Sequence, residues 1–263
     1  MSSVSYAVRD STTMLRRDFR HSLRYPAMTI SGMAVPIVFL LLFVGVFGNT
    51  LRAGIAATGS GVGSYTNYLT PGIIVMTAGA AAAATAVNVC TDMTEGIIAR
   101  FRTMAITRTA VLTGQVLGSL IRTMVSGVLV VAVAAALGFR STATPIEWVA
   151  AAGVFAMLTV ALTWLTVAFG LVAKTPAGAS SLSLLPEFLP FVSSTFVPAA
   201  SMPAGVRWFA AHQPFTPIIE TLRGLLIGTP IGDNAALTIA WCAAMTIVGY
   251  LWARSRYDRL PAR

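Results

Sequence analysis

The sequence predicts an all-helical integral membrane protein with six membrane-spanning helices. The chain of 263 residues is 56% hydrophobic and only 10% charged, with a mean hydropathy of +0.77. It is therefore far more apolar than a soluble domain of this length. Six apolar runs approach or exceed the ~20 residues that cross a bilayer as a helix. No linker or soluble module separates them, so we expect one membrane domain over residues 1–263.

The predicted spans also fix a topology. They cover residues 27–47, 68–89, 111–137, 146–172, 176–196 and 235–253. An even number of spans places both termini on the same side of the membrane. With that side in the cytoplasm, thirteen of the 18 basic residues are cytoplasmic. The positive-inside rule therefore predicts a multi-pass protein of the cell membrane with both termini cytoplasmic. The net charge of +9 follows from this topology and does not indicate nucleic-acid binding.

The sequence pattern of residues 1–25, before the first span, predicts an amphipathic helix on the cytoplasmic membrane surface. Apolar residues fall largely on one helical stripe and arginines on the others, which is typical of interfacial helices. The arginines would meet anionic lipid or a partner protein. Pro26 ends the helix because proline disfavours helical geometry in the residue before it.

A charged cytoplasmic segment, residues 92–108, separates the second and third spans. Its apolar residues recur at helical spacing and its arginines face elsewhere, which favours a short amphipathic helix lying flat on the membrane. An ordinary basic loop fits the pattern equally well. The residues of interest are Glu95, Gly96, Ile97, Ile98, Arg100, Phe101, Arg102 and Arg108.

Two charges are predicted inside the membrane. Arg122 lies about ten residues into the third span, where an arginine costs on the order of 2.5–3.5 kcal/mol. Glu187 lies at a compatible depth in the fifth span. The two residues could contact a substrate, form a structural salt bridge or reach water. In the second span, the small residues 78–84 form either a helix-packing face or a wall of the substrate path.

The fifth span and the segment after it carry a dense series of motifs. Pro186 and Pro190 interrupt the span, and the backbone groups that prolines leave unpaired must be satisfied by protein or by water in a cavity. Residues 193–198 then predict a turn. Two short helices follow, one near residues 206–211 and one through Glu220 and Arg223, which we place at the outer membrane boundary, dipping back without crossing. Glu220 and Arg223 are three residues apart and can pair on one helix face.

This succession of motifs resembles the type-2 ABC exporter permeases, and is similar to the daunorubicin-resistance permeases in particular. The resemblance implies a permease subunit that exports amphipathic drugs, antibiotics or lipids. It implies two copies of a separate ABC ATPase subunit as partners, and pairing with a second permease as a homodimer or heterodimer. The ATPase would contact residues 92–108 and the N-terminal helix. The candidates for an extracellular gate are Phe196, Pro198, Pro203, Pro214, Glu220 and Arg223.

The sequence carries no recognisable catalytic or metal-binding motif. The segment 170–175 has Ala173 where a phosphate-binding loop needs its second glycine. We read Cys90 and Cys242 as packing residues. We therefore expect no enzyme activity, metal or cofactor in this chain, with ATP and Mg²⁺ bound by the partner.

The alternatives to a drug exporter are a glycolipid or polysaccharide exporter of the same family, or an ion-coupled secondary transporter. The second would normally need several intramembrane acids.

Overall fold

The computed structural model describes residues 34–48, 64–94 and 108–258 of the chain. All of the regular secondary structure in these ranges is helical. The α-helices are α1 (Ala34–Gly48), α2 (Tyr65–Thr94), α3 (Arg108–Ala136), α4 (Pro145–Val172), α5 (Pro176–Phe188), α6 (Ala204–His212), α7 (Phe215–Ile227) and α8 (Asn234–Asp258). Two 3₁₀ segments lie at Leu189–Val192 and Ala199–Ser201.

Four of these helices, α2, α3, α4 and α8, are long and apolar enough to cross a membrane. They correspond to the second, third, fourth and sixth predicted spans. The shorter apolar helix α1 overlaps the first predicted span, whose residues 27–33 lie outside the described ranges, as does the predicted interfacial helix of residues 1–25. An all-helical membrane protein is therefore correct as a fold class.

The predicted fifth span is not one continuous α-helix. The α-helical part ends at Phe188, a 3₁₀ segment continues to Val192, and residues 193–196 form a turn. The cause is local, because Pro186 and Pro190 each remove a backbone donor from the helical ladder. The two short helices expected after this interruption are present as α6 and α7.

Helix ends follow from short-range sequence signals. At the end of α3, Gly138 adopts φ 94°, and the N–H groups of Gly138 and Phe139 donate to the carbonyls of Ala135 and Ala134. These two bonds form a Schellman motif. Thr144 then begins α4 with a capping box, because its hydroxyl accepts from Glu147 N while the Glu147 carboxylate accepts from Thr144 N at 2.6 Å.

The centre of the bundle is the pair α2 and α4. In each, 67% of the most apolar 18-residue window is buried, against 17% in α8. Helices α3 and α5 both pack on α2 and α4, while α8 lies along α4. Small residues permit these contacts. A side chain at Gly170 of α4 would meet the Ala86 carbonyl of α2 at 2.6 Å, so the two backbones touch where only glycine fits.

Buried hydroxyls join the three central helices. The Thr85 hydroxyl of α2 donates to Ser119 Oγ of α3 at 3.1 Å, and Ser119 Oγ lies 3.3 Å from Thr163 Oγ1 of α4. All three residues are fully buried. Because lipid offers no hydrophobic driving force between helices, such hydrogen bonds and close packing hold them together.

We predict that Gly249→Ala destabilises the bundle by about 1–3 kcal/mol, the usual cost of overpacking. The new Cβ on α8 would lie 2.7 Å from Leu165 N and 2.8 Å from Trp164 C, which are backbone atoms of α4 that cannot move aside. Thermal unfolding of the detergent-solubilised protein measures the effect.

Gly153→Ala is the matched control, because no atom lies within 4 Å of a Cβ at this exposed position of α4. It should be neutral or slightly stabilising, since alanine has the higher helix propensity. Equal melting temperatures for the two variants would contradict the close α4–α8 contact.

Candidate functional site

Polar contacts mark the two opposite ends of the helix bundle. At one end, which we call the coupling end, Gln115 of α3 donates to Asp92 of α2 at 2.9 Å. Cys90 Sγ approaches the Ala173 carbonyl, just after α4, at 3.5 Å. The contacts fix the positions at which the chain leaves α2 and re-enters α3.

The structure describes only the two ends of the predicted coupling segment. Residues 92–94 belong to α2, and Arg108 is the first residue of α3. Helix α2 extends to Thr94, and the Asp92 carboxylate near its end accepts a hydrogen bond from Gln115. The residues from Glu95 to Arg102 lie outside the described ranges, and their contact with an ATPase stays a prediction.

The opposite end, which we call the turn end, is organised by Arg223 of α7. Its guanidinium binds Glu220 Oε1 at 2.6 Å. It also donates to the Ser194 carbonyl at 2.9 Å and to the Tyr68 carbonyl at 3.2 Å. The Tyr68 ring lies 3.8 Å below the guanidinium carbon, and the Tyr68 hydroxyl donates to the Ser194 carbonyl at 2.9 Å. One side chain thus joins α7, α2 and the turn after α5.

Burial makes this arrangement costly to disturb. Arg223 is only 2% exposed, whereas Glu220 is 31% exposed. A buried arginine is stable only when it is paired and hydrogen-bonded, and here the carboxylate, two carbonyls and an aromatic face share the charge. Arg223 Nε and Ser194 Oγ remain buried without a protein partner. The sequence predicted the Glu220–Arg223 pair but gave no signal for Tyr68 or Ser194, which approach through tertiary contacts.

Further hydrogen bonds connect the α3–α4 loop to α2 and α7 at the turn end. Asn67 of α2 exchanges two hydrogen bonds with the backbone of Arg140, at 2.9 and 3.3 Å. The Ser141 hydroxyl and the Thr142 N–H both donate to the Leu226 carbonyl of α7, at 2.7 and 3.2 Å. The α3–α4 loop is therefore fastened to the first turn of α2 and to the last turn of α7.

The remaining gate candidates have separate positions. Phe196 ends the turn beside α1, and Pro198 precedes a 3₁₀ segment. Pro203 and Pro214 are the N-caps of α6 and α7. The structure thus groups Glu220 and Arg223, while the three prolines mark element boundaries. A role in gating stays a prediction for all six.

A phenylalanine cluster joins α1 to the chain after α5. The closest pairs are Phe43–Phe196, with ring centroids 4.4 Å apart, and Phe39–Phe191, at 5.3 Å. Phe47 and Phe188 extend it through Phe43 and Phe191 and are 42% and 54% exposed. We define the phenylalanine cluster as Phe39, Phe43, Phe47, Phe188, Phe191 and Phe196. We did not identify it from the sequence, although the i, i+4 spacing of its first three members was visible there.

Arg122 and Glu187 lie on different helices that both pack on α2. Ser119, one turn before Arg122, bonds to Thr85 of α2. A Cβ at Gly79 of α2 would lie 3.4 Å from Glu187 Cα. Both charges are thus level with the stretch Gly79–Thr85 of α2, which agrees with the expected similarity in depth. Whether they pair stays a prediction.

Comparison with known proteins identifies related chains. The family model of ABC-2 type transporters matches residues 10–227. The daunorubicin resistance ABC transporter permease protein DrrB1 of Streptomyces coeruleorubidus is 28% identical over 243 residues, which cover 92% of this chain and 83% of the relative. The probable doxorubicin resistance ABC transporter permease protein DrrC of Mycobacterium tuberculosis is 25% identical over 219 residues, which cover 83% of this chain and 77% of the relative.

Replacing Arg223 with Met should destabilise the protein by about 3 kcal/mol or more, because hydrogen bonds to charged groups contribute ~1.5–3 kcal/mol each. Glu220→Gln should cost less, since Glu220 is partly exposed and the two carbonyls still hold the guanidinium. Thermal unfolding in detergent gives both values.

Arg207→Met is the control: Arg207 is exposed and its guanidinium bonds to Met202 within the same segment, so a change below ~0.5 kcal/mol is expected. A similar loss for Arg207→Met and Arg223→Met would argue against a special role for the buried cation.

For Arg122 and Glu187 we predict coupling. If they pair in low dielectric, Arg122→Met and Glu187→Gln should each destabilise more than the double variant, because a single change leaves one charge uncompensated. A double-mutant cycle on unfolding free energies measures the interaction. Strictly additive effects would show that the two side chains do not interact.

Proposed function

The chain belongs to the ABC-2 type transporter family, and on this premise we propose that it is the membrane-spanning permease subunit of an ATP-driven drug exporter. The observation that carries the proposal is the similarity, over most of the chain, to permeases named for daunorubicin and doxorubicin resistance. Such drugs combine a flat aromatic system with polar groups. The substrate class we propose is amphipathic drugs, antibiotics or lipids.

The phenylalanine cluster supplies a surface suited to such substrates. Aromatic rings offer large apolar contact area and favour stacked or edge-on ring contacts worth ~0.5–1.5 kcal/mol each beyond area burial. Phe188 and Phe47 expose part of their rings, so a planar ligand could extend the existing stack. We propose that the substrate path runs along this cluster.

We further propose six crossings with both termini in the cytoplasm. The 13 residues of α5 and the four of the following 3₁₀ segment together rise about 28 Å, close to the ~30 Å thickness of the hydrocarbon core. A fifth crossing is therefore possible despite the interruption. This topology places the coupling end in the cytoplasm and the turn end, with α6 and α7, outside.

ATP hydrolysis is assigned to a separate subunit. We propose that two ABC ATPase subunits, with ATP and Mg²⁺ bound to them, contact the segment between α2 and α3, and that two permeases pair in the complex. The Asp92–Gln115 bond supports this assignment, because it would transmit movement of the segment to both helices.

The alternatives have less support. A glycolipid or polysaccharide exporter would belong to the same family, but the relatives above are named for drug resistance. An ion-coupled transporter would use Arg122 and Glu187 as a relay, and the family match favours ATP as the energy source.

The direct test is reconstitution with the cognate ATPase in vesicles. Daunorubicin should stimulate ATP hydrolysis by the complex, whereas the permease alone should show only background hydrolysis. Phe43→Ala should raise the half-stimulating drug concentration about two- to tenfold, which corresponds to the loss of one aromatic contact. Phe169→Ala is the control, because Phe169 contacts Trp252 away from the phenylalanine cluster. Hydrolysis that persists after rigorous removal of the ATPase, or no response to any amphipathic drug, would contradict the proposal.

Coupling is tested at Phe101. If the segment between α2 and α3 inserts into a groove of the ATPase, Phe101→Ala removes an aromatic anchor worth about 2 kcal/mol or more and weakens the complex at least tenfold. Membrane expression should stay near normal, and co-purification of the ATPase measures the loss. Ile98→Ala should act in the same direction. If both variants retain the partner and drug-stimulated hydrolysis, the segment is not the coupling element.

A further inference from the structure

A cavity of about 240 Å³ opens between α3 and α4 near the turn end. It is lined by Ile74, Met124, Val131, Trp148, Ala152 and Leu226 among others, so α2, α3, α4 and α7 all contribute. We propose that this cavity binds one acyl chain of a membrane phospholipid whose headgroup phosphate lies beside Arg140. The proposal rests on the membrane-spanning placement given above but not on the identity of the exported substrate.

The lining excludes water as the occupant. No polar atom contributes to the surface of the cavity. A buried water needs two to four polar partners, even though a single water needs only ~10–15 Å³. The cavity is therefore large enough for water, but its lining offers water no hydrogen-bond partner. A hydrocarbon chain fits this volume and needs no polar partner.

The position of the cavity points to lipid. On α3 it extends from Met124 to Val131 and on α4 from Trp148 to Phe155, which in each case is about 10 Å along the helix axis. Its rim faces away from the protein, because Val128 is 70% exposed and Trp148 is 36% exposed. In a bilayer these rim residues meet acyl chains directly.

Arg140 supplies the complementary charge for a headgroup. It is an exposed residue of the α3–α4 loop, and its backbone is held by Asn67. Two residues later, Thr142 donates to the carbonyl of Leu226, a lining residue of the cavity. The backbone of Arg140 is therefore held close to the end of the cavity that lies nearest the loop. Trp148, in the first turn of α4, is placed as an aromatic residue of the membrane boundary.

The proposal is tested by photo-crosslinking of the assembled transporter in nanodiscs containing phosphatidylcholine with a diazirine in one acyl chain. Mass spectrometry compares labelling of Met124 and Val131, inside the cavity, with labelling of Val125, which is 57% exposed on α3 outside it. We expect at least threefold more label inside. Ala152→Phe should fill the cavity and abolish this excess, with Ala152→Leu as a second filler if expression falls. Ala150→Phe, on the exposed surface of α4 outside the cavity, should leave it unchanged.

A second arm tests the headgroup. Arg140→Gln should lower cavity labelling by the phospholipid probe at least twofold, but should not change labelling by a diacylglycerol with the same diazirine. Equal labelling of Val125 and the cavity residues, or an excess that survives both filling variants, would overturn the proposal. So would displacement of the label by daunorubicin, which would make the cavity a substrate site.

Discussion

The guanidinium of Arg223 is the contact on which the turn end depends. Prolines interrupt the fifth span, and the chain that follows must satisfy its backbone carbonyls inside the protein, since a bilayer core supplies no water. Arg223 does this for Ser194 and at the same time binds the Tyr68 carbonyl of α2. The tight fit is visible at Gly72, where a side chain would collide with Thr195. Helix α7, the turn and the first turn of α2 are thus held as one unit.

The central helices are held by a different means. Glycines at positions 170 and 249 bring α4 into backbone contact with α2 and α8, and the hydroxyls of Thr85, Ser119 and Thr163 bridge α2, α3 and α4. These contacts are close backbone packing and hydrogen bonds, as expected where lipid is as apolar as the helices. They leave the outer faces of α3 and α8 free for lipid. The rigid α2–α4 pair therefore connects the coupling end to the turn end.

This connection gives the proposed mechanism a physical path. The Asp92–Gln115 bond joins α2 to α3 at the coupling end, and α2 runs from there to Tyr68 beneath the Arg223 guanidinium. A displacement of α2 at the coupling end would be transmitted along the helix toward the turn end. The phenylalanine cluster and the cavity share no residue, because they are built from different helices. Substrate contact along the first and lipid binding in the second are therefore compatible.

The sequence alone determined the membrane class, most helix positions and the Glu220–Arg223 pair, because each follows from composition, periodicity or spacing within one helix. The family resemblance was carried by the order of motifs along the chain. Helix α2 continues beyond the predicted span end near residue 89, to Thr94, and no local pattern shows the hydrogen bond between Asp92 and Gln115, which lie 23 residues apart. The sequence predicted the interruption of the fifth span at Pro186 and Pro190, because each proline removes a backbone donor, but not that residues 189–192 continue as a 3₁₀ segment. Only the tertiary structure decided that Tyr68 and Ser194 share Arg223, that six phenylalanines form one cluster, and that four helices enclose an apolar cavity. Each of these joins residues far apart in the chain, and no local pattern encodes such contacts.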